Sequence, residues 1–284
     1  MTQNTRSTIT LGDSSLTIAD VVAVAREGAE VMIGDAALER VAQSQQIIVE
    51  LAHDTRPHYG VSTGFGALAN VQIPVEKRQQ LQRSLIRSHA AGTGPEVERE
   101  VVRALMLLRL NTLASGRTGV RPTVVETYAA ILNAGITPVV HEYGSLGCSG
   151  DLSPLAHCAL TLIGEGHVRV DAERSQRDPR SRHCDCPPSE AGGEGQVRVD
   201  RDPYAAPIPA AEALAAAGIE PLVLAEKEGL ALINGTDGML GMLGLALHDL
   251  ELLLKTADLA AAASVEALTG TDAVFAADLQ ALRP

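Results

Sequence analysis

Apolar residues recur at helical spacing along most of the chain, and the breaks in that pattern mark its elements. In "LTIADVVAVAREG" (16–28), Thr17 is placed to cap a helix, Asp20 three residues on completes a capping box, and Gly28 is the stop. Residues 36–53 carry Leu38, Val41, Ile48 and Ala52 along one stripe. The period is lost in "RPHYGVSTGFGALANVQIP" (56–74), whose three glycines and two prolines predict a long surface loop of the kind that often carries function. Helices resume at 76–90, at 96–114 with Pro95 at the first turn, and from Pro122 to just before Gly135. Another runs from an Asp151 N-cap, with Pro154 in its first turn, through Ile163. Two more fit 210–217 and 221–233, the latter beginning at Pro221. From Thr236 to Leu268 the pattern is unbroken and closes at Gly270. That helix spans about 50 Å, and its apolar residues face most directions, as in the middle of a bundle. Strand signals are few, so the predicted fold class is mainly α.

One segment stands apart. "GEGHVRVD" (164–171) recurs 29 residues later as "GEGQVRVD" (193–200). Charged residues, prolines and glycines fill the stretch between, which reads as a disordered surface insertion near 171–206. Its "HCDC" offers His183, Cys184 and Cys186, a metal half-site without a second cluster at zinc spacing, so no metal is expected.

Composition narrows the class. Apolar residues make up 45% of the chain but aromatics only 2%, leaving Leu, Ala and Val to fill a helical core. A formal charge of −12 argues against nucleic acid as a partner, because a phosphate backbone would be repelled. Cys148, Cys158, Cys184 and Cys186 show no disulfide-framework spacing, and the N-terminus lacks an apolar signal region. The 239–268 region carries His248, Asp249, Glu251, Lys255 and Asp258, which argues against a membrane span. A cytoplasmic protein is expected.

The chemistry centres on "GSLGCSGDLSPLAH" (144–157), where Ser149 lies between Cys148 and Gly150. A serine nucleophile needs a base within reach and an acid to orient it. His157 falls inside the following helix and reads as a packed histidine, so a hydrolase ranks low. A different chemistry uses the tripeptide itself. In a tight turn the Gly150 nitrogen can approach the Cys148 carbonyl carbon, because glycine permits the backbone angles required. Cyclisation and dehydration of Ser149, each losing a water, leave an imidazolone ring with an exocyclic methylene, an electrophile. The tripeptide by itself is equally compatible with an ordinary loop capping a helix.

The run closely resembles the signature of the aromatic amino acid ammonia-lyases, whose Xaa-Ser-Gly tripeptide becomes the methylidene-imidazolone (MIO) group. Alanine is the usual first residue; Cys148 departs from it, but its side chain lies outside the ring-forming atoms. Four further blocks agree in order: "YGVSTGFGALA" (59–69), "LQRSLIRSHAAGTG" (81–94), "RLNTLASGRTGVRP" (109–122) and "EGLALINGTDGM" (228–239). Ser88-His89 is similar to the pair in histidine ammonia-lyases, where relatives acting on phenylalanine or tyrosine carry other residues.

The resemblance implies a fumarase/aspartase-like helical bundle, of which this chain supplies the N-terminal half. Residues 1–120 would form a helical domain with the active-site loop 56–74, and 121–284 the MIO loop and the start of the central bundle. It implies conversion of L-histidine to trans-urocanate and ammonia through an MIO made from Cys148, Ser149 and Gly150, with no external cofactor. Tyr59 would remove the β-proton. A free tyrosine ionises only near ~10, so that role requires a site that stabilises the phenolate. His89 would contact the substrate imidazole, matching a ring that both donates and accepts. Asn234 would hydrogen-bond near MIO and substrate, although it suits a helix start equally well. Asp151 would help position the cyclising turn, though N-capping also explains it. His53, His58, His141 and His248 are read as structural or solvated.

Family members assemble as homotetramers through the long helices and continue beyond "DLQALRP" into a second half that binds the substrate carboxylate. This chain alone is therefore expected to be inactive. The alternative is a non-catalytic remnant or assembly module of the same family.

Overall fold

A computed structural model describes residues 7–12, 14–146, 150–171 and 206–282. Strand β1 (Thr8–Leu11) pairs in parallel with β2 (Glu30–Ile33), and helix α1 (Ile18–Val22) crosses between them. The predicted capping box is present: the Thr17 hydroxyl accepts from the Asp20 amide at 3.2 Å, and the Asp20 carboxylate accepts from the Thr17 amide at 2.8 Å. A π turn over Ala23–Glu27 extends α1 and stops at Gly28, whose φ of 69° is cheap only for glycine. Helix α2 (Asp35–His53) buries Ala37, Val41, Ile48 and Ala52; Ala37 takes the place expected of Leu38.

Helix α3 (Val75–His89) leads into β3 (Thr93–Glu96) and then α4 (Arg99–Ala114), which is buried on most sides at the centre of the molecule. The helix predicted from residue 96 thus starts later. Residues 93–96 are taken up in pairing with β5 (His141–Tyr143), where an irregular register around Pro95 accommodates its missing N–H. Helix α5 (Pro122–Asn133) begins and ends as expected. Its last residue bonds both backbone groups of Val31 through its amide side chain, at 2.9 and 2.8 Å, and so serves the open edge of β2.

Helix α6 (Leu152–Leu162) is followed by β6 (His167–Val170), which is the first copy of the repeated segment. It lies between β4 (Ile136–Pro138) and β7 (Ile208–Pro209) in an antiparallel sheet. The second copy and the His183-Cys184-Cys186 cluster lie outside the described residues. Helix α7 (Ala210–Ala216) follows as predicted, whereas α8 is only Glu228–Ile233 rather than 221–233. The Leu222 amide donates to the Leu162 carbonyl at 2.7 Å, which keeps this stretch extended against the end of α6. The buried Glu228 carboxylate then accepts from Ala225 N at 2.6 Å and pairs with Arg121, fixing where α8 starts.

The long helix α9 (Asp237–Ala267) lies on α1 and α4, with Gly241 close against Ala104 and the Leu105 amide. Arg26 joins it to α4 by bonding both Glu100 and Asp249. Its second half leaves the body of the molecule: Leu252, Leu253, Leu254 and Leu259 are exposed, the last by 72%. The helical run ending at Ala267 is long and apolar enough to cross a bilayer, by length and composition alone. A short helix, α10 (Ala277–Gln280), follows. The fold is mainly α, with seven short strands among the described residues.

Candidate active site

Helices α3, α6 and α8 pack against one another and bring the separate sequence blocks together. Cys148 and Ser149 lie outside the described residues, but the chain on either side of them is closely defined. The Leu146 amide donates to the Gly150 carbonyl at 3.1 Å, and the Ser145 hydroxyl donates to Asp151 Oδ1 at 2.5 Å. These two rungs draw the flanks of the tripeptide together, with Gly150 and Asp151 buried. Short, doubly closed flanks of this kind suit a backbone condensation, which needs the chain bent sharply at that point.

Asp151 does something other than the expected capping. It occupies the N-cap position of α6 but makes no side-chain bond there. Its Oδ2 instead accepts from the amides of Gly238 and Met239, at 2.9 and 3.0 Å, in the first turn of α9. A carboxylate at that end of a helix satisfies orphan N–H groups and complements the helix dipole. One side chain therefore ties the tripeptide loop to the start of the longest helix.

Asn234 is the exposed C-cap of α8, three residues before α9 begins. Its backbone is held from α4: Arg109 Nη1 donates to the Ala231 and Asn234 carbonyls at 2.9 and 3.0 Å, and Nη2 pairs with Asp237. Burial raises the Asp237 carboxyl while Arg109 opposes the shift. Gly235 is required here, because a methyl group would overlap both Arg109 Nη2 and the Asp237 carboxylate.

His89 ends α3 and is half-buried. Its Nδ1 lies 2.9 Å from the Leu85 carbonyl, an acceptor, so Nδ1 carries a proton and Nε2 is the ring nitrogen left for other partners. The Ser88 hydroxyl, 3.0 Å from the same Nδ1, supports that orientation. Three residues on, the Gly92 amide donates to His157 Nε2 at 3.1 Å. Burial lowers the His157 pKa, and His141, with ring centroids 5.7 Å apart, lowers it further. His157 is thus neutral with its Nε2 lone pair engaged, a joint between α6 and the turn after His89 rather than a base for Ser149.

Tyr59 sits on the turn 58–63 and is 55% exposed, with its ring edge-to-face with Phe65 at 6.0 Å. The amides of Val61, Ser62 and Thr63 all converge on the His58 carbonyl. Gly60, at φ 72°, passes close to Leu230 of α8. Gln82, fully buried on α3, donates to the Gly60 carbonyl at 3.5 Å and accepts from the Gly229 amide at 2.9 Å. His58 is held by Asp54 at 2.8 Å. Gln82 and Arg109 were missed from sequence. The available signal was a polar residue at an apolar position of the helix, shared in α3 with Arg78 and in α4 with Arg103. No group of three or more His, Cys, Asp or Glu suited to a metal occurs among the described residues.

Residues 16–284 match the aromatic amino acid lyase family. Histidine ammonia-lyase of Streptomyces griseus is 58% identical over 277 residues, covering 98% of this chain and 48% of that protein. The crystal structure of histidine ammonia-lyase from Trypanosoma cruzi superposes with a TM-score of 0.79 at 32% identity, over 98% of this chain and 48% of that one. Pantoea agglomerans phenylalanine aminomutase superposes with a TM-score of 0.80 at 30% identity, over 98% and 47%. The chain spans about half the length of the relatives it matches.

Proposed function

Because the chain belongs to the aromatic amino acid lyase family, we propose that it serves a histidine ammonia-lyase, which eliminates ammonia from L-histidine to give trans-urocanate. The observation that carries this reading is the pair of rungs, Leu146–Gly150 and Ser145–Asp151, closing the chain around Cys148-Ser149-Gly150. In the proposed maturation the Gly150 nitrogen attacks the Cys148 carbonyl, and two waters leave, one of them carrying the Ser149 hydroxyl oxygen. The resulting MIO supplies an electrophilic methylene that makes the substrate's nitrogen a better leaving group.

The chain's own residues divide the remaining work. Tyr59 accepts the β-proton, on a turn whose position Gln82 sets against α8. His89 offers its Nε2 lone pair to the N–H of the substrate imidazole, because its Nδ1 proton is committed to Leu85. Asn234 hydrogen-bonds beside the reacting nitrogen, and Asp151 holds the tripeptide loop against α9. We place the protein in the cytoplasm as a homotetramer, an arrangement supported by the exposed leucines of α9. Those leucines also suit the alternative, an assembly module without turnover.

Intact mass spectrometry separates the two. The enzyme reading expects a mass two waters below that of the sequence, restored in S149A, together with urocanate absorbance when the competent protein, this chain joined to the second half that its relatives carry, meets L-histidine. A full-length mass in the unmodified protein defeats it and leaves the assembly role.

A further inference from the structure

We infer that Arg109 is a positioning residue for Asn234, setting the turn between α8 and α9 from its seat in α4. This rests on the reading of Asn234 proposed above. Arg109 is 3% exposed on a helix face otherwise built from Leu105, Met106, Leu110 and Leu113. A guanidinium is tolerated in such a place only when its charge and most of its donors are matched, and here both terminal nitrogens are bonded while Nε has no hydrogen-bond partner. Here the fork spans the turn. Nη1 takes the carbonyls of Ala231 and Asn234, the orphan acceptors at the end of α8, and Nη2 takes the carboxylate that opens α9. Thr112, one turn along α4, reaches the other oxygen of that carboxylate at 3.4 Å.

The Asn234 carbonyl is therefore fixed by the same group that fixes Asp237. With φ −98° and ψ 101° set in this way, the Cα–Cβ direction of Asn234 is set as well. The absence of a side chain at Gly235 lets the guanidinium lie directly against the turn. Lysine carries the charge but cannot place donors on two carbonyls and a carboxylate in one plane.

The test compares R109K, N234A and the double variant in the catalytically competent protein, with thermal melts to verify folding. R109K is expected to lower kcat on the order of 10–100-fold with KM nearly unchanged, the scale of a small misplacement of a reacting-site group. The double variant is expected to match N234A within about 2-fold, because Arg109 acts through Asn234. Hydrogen exchange gives a readout independent of turnover: in R109K the amides of 231–238 exchange roughly 10-fold faster while those of α2 are unchanged. Where R109K fails to fold, D237N, which removes the charge anchoring Nη2, replaces it with the same expectations. Retained kcat, losses that multiply, or unchanged exchange overturn the assignment. If N234A keeps full activity, or the competent protein makes no urocanate, while the exchange response persists, the error lies in the proposed function and not in the hold on the turn.

Discussion

Replacing Asp151 with alanine removes an acceptor shared by two segments, and the structure allows the cost to be worked out. The side chain is 1% exposed and accepts from Ser145 Oγ, Gly238 N and Met239 N. Hydrogen bonds to a charged group contribute about 1.5–3 kcal/mol each, but part of this returns when water can replace the lost partner. Ser145 and Met239 are only half-buried and regain water in D151A, whereas Gly238 is buried and its amide stays unsatisfied. The orphaned amide costs about 1–3 kcal/mol, and losing the cap of α9 about 1 more. The expected loss is roughly 2–4 kcal/mol, a large share of the ~5–15 kcal/mol that holds a typical domain together. D151N keeps an oxygen for the two amides and loses mainly the charge–dipole attraction, about 0.3–1 kcal/mol. Urea unfolding followed by far-UV circular dichroism reads both, with the D151A midpoint falling by about 1–2 M. In the same samples the two-water mass deficit should fall in D151A and persist in D151N. A D151A midpoint close to that of the parent, or D151N as damaging as D151A, would refute this account of the carboxylate.

Three further outcomes follow from the geometry. The folded pKa of His157 lies below the ordinary 6.5, so the unfolded chain binds the extra proton first as acid is added. Stability should therefore fall as pH drops below about 6.5 and level off under the folded value. H157Q, which keeps an acceptor for Gly92 but does not titrate, should flatten that slope in urea midpoints taken across pH 5–8. Cys158 is fully buried and its thiol is pushed up to about 12, so peptide mapping after iodoacetamide at pH 8 should find it alkylated only in denaturant. Native labelling there would contradict the packing of α6. Glutamates in place of Leu243, Leu250 and Leu254, exposed along α9, should reduce self-association by light scattering without lowering the urea midpoint.

Local signals in the sequence translated directly into structure. The Thr17–Asp20 box, the Pro122 start of α5 and the span of α9 depend on neighbours a few residues away, and each was legible. The early start assigned to α4 failed because β3 claims Pro95 through a partner strand more than forty residues on, at His141–Tyr143. The early start assigned to α8 failed because Leu162, Arg121 and Glu228 together hold an extended approach that helix propensity cannot report. The candidate site shows the same division. Cys148-Ser149-Gly150, His89 and Tyr59 stand out in their blocks, whereas the partners of Asp151 and Arg109 lie 87 and 128 residues away. A polar residue on an apolar helix face signals that a partner exists but does not say which one.

The adjacency of β6 and β7 bears on how this fold tolerates change. Their register sets Val168 opposite Ile208, so the chain leaves the sheet at Asp171 and returns beside its point of departure. The intervening 172–205 lies between anchored ends, and the entropy of tethering such ends grows only with the logarithm of the length between them. By that relation, each doubling of such a connection costs only about 0.6 kcal/mol. Added length is thus tolerated at this edge, while a single added residue between Ser145 and Asp151 would break both rungs that flank the tripeptide.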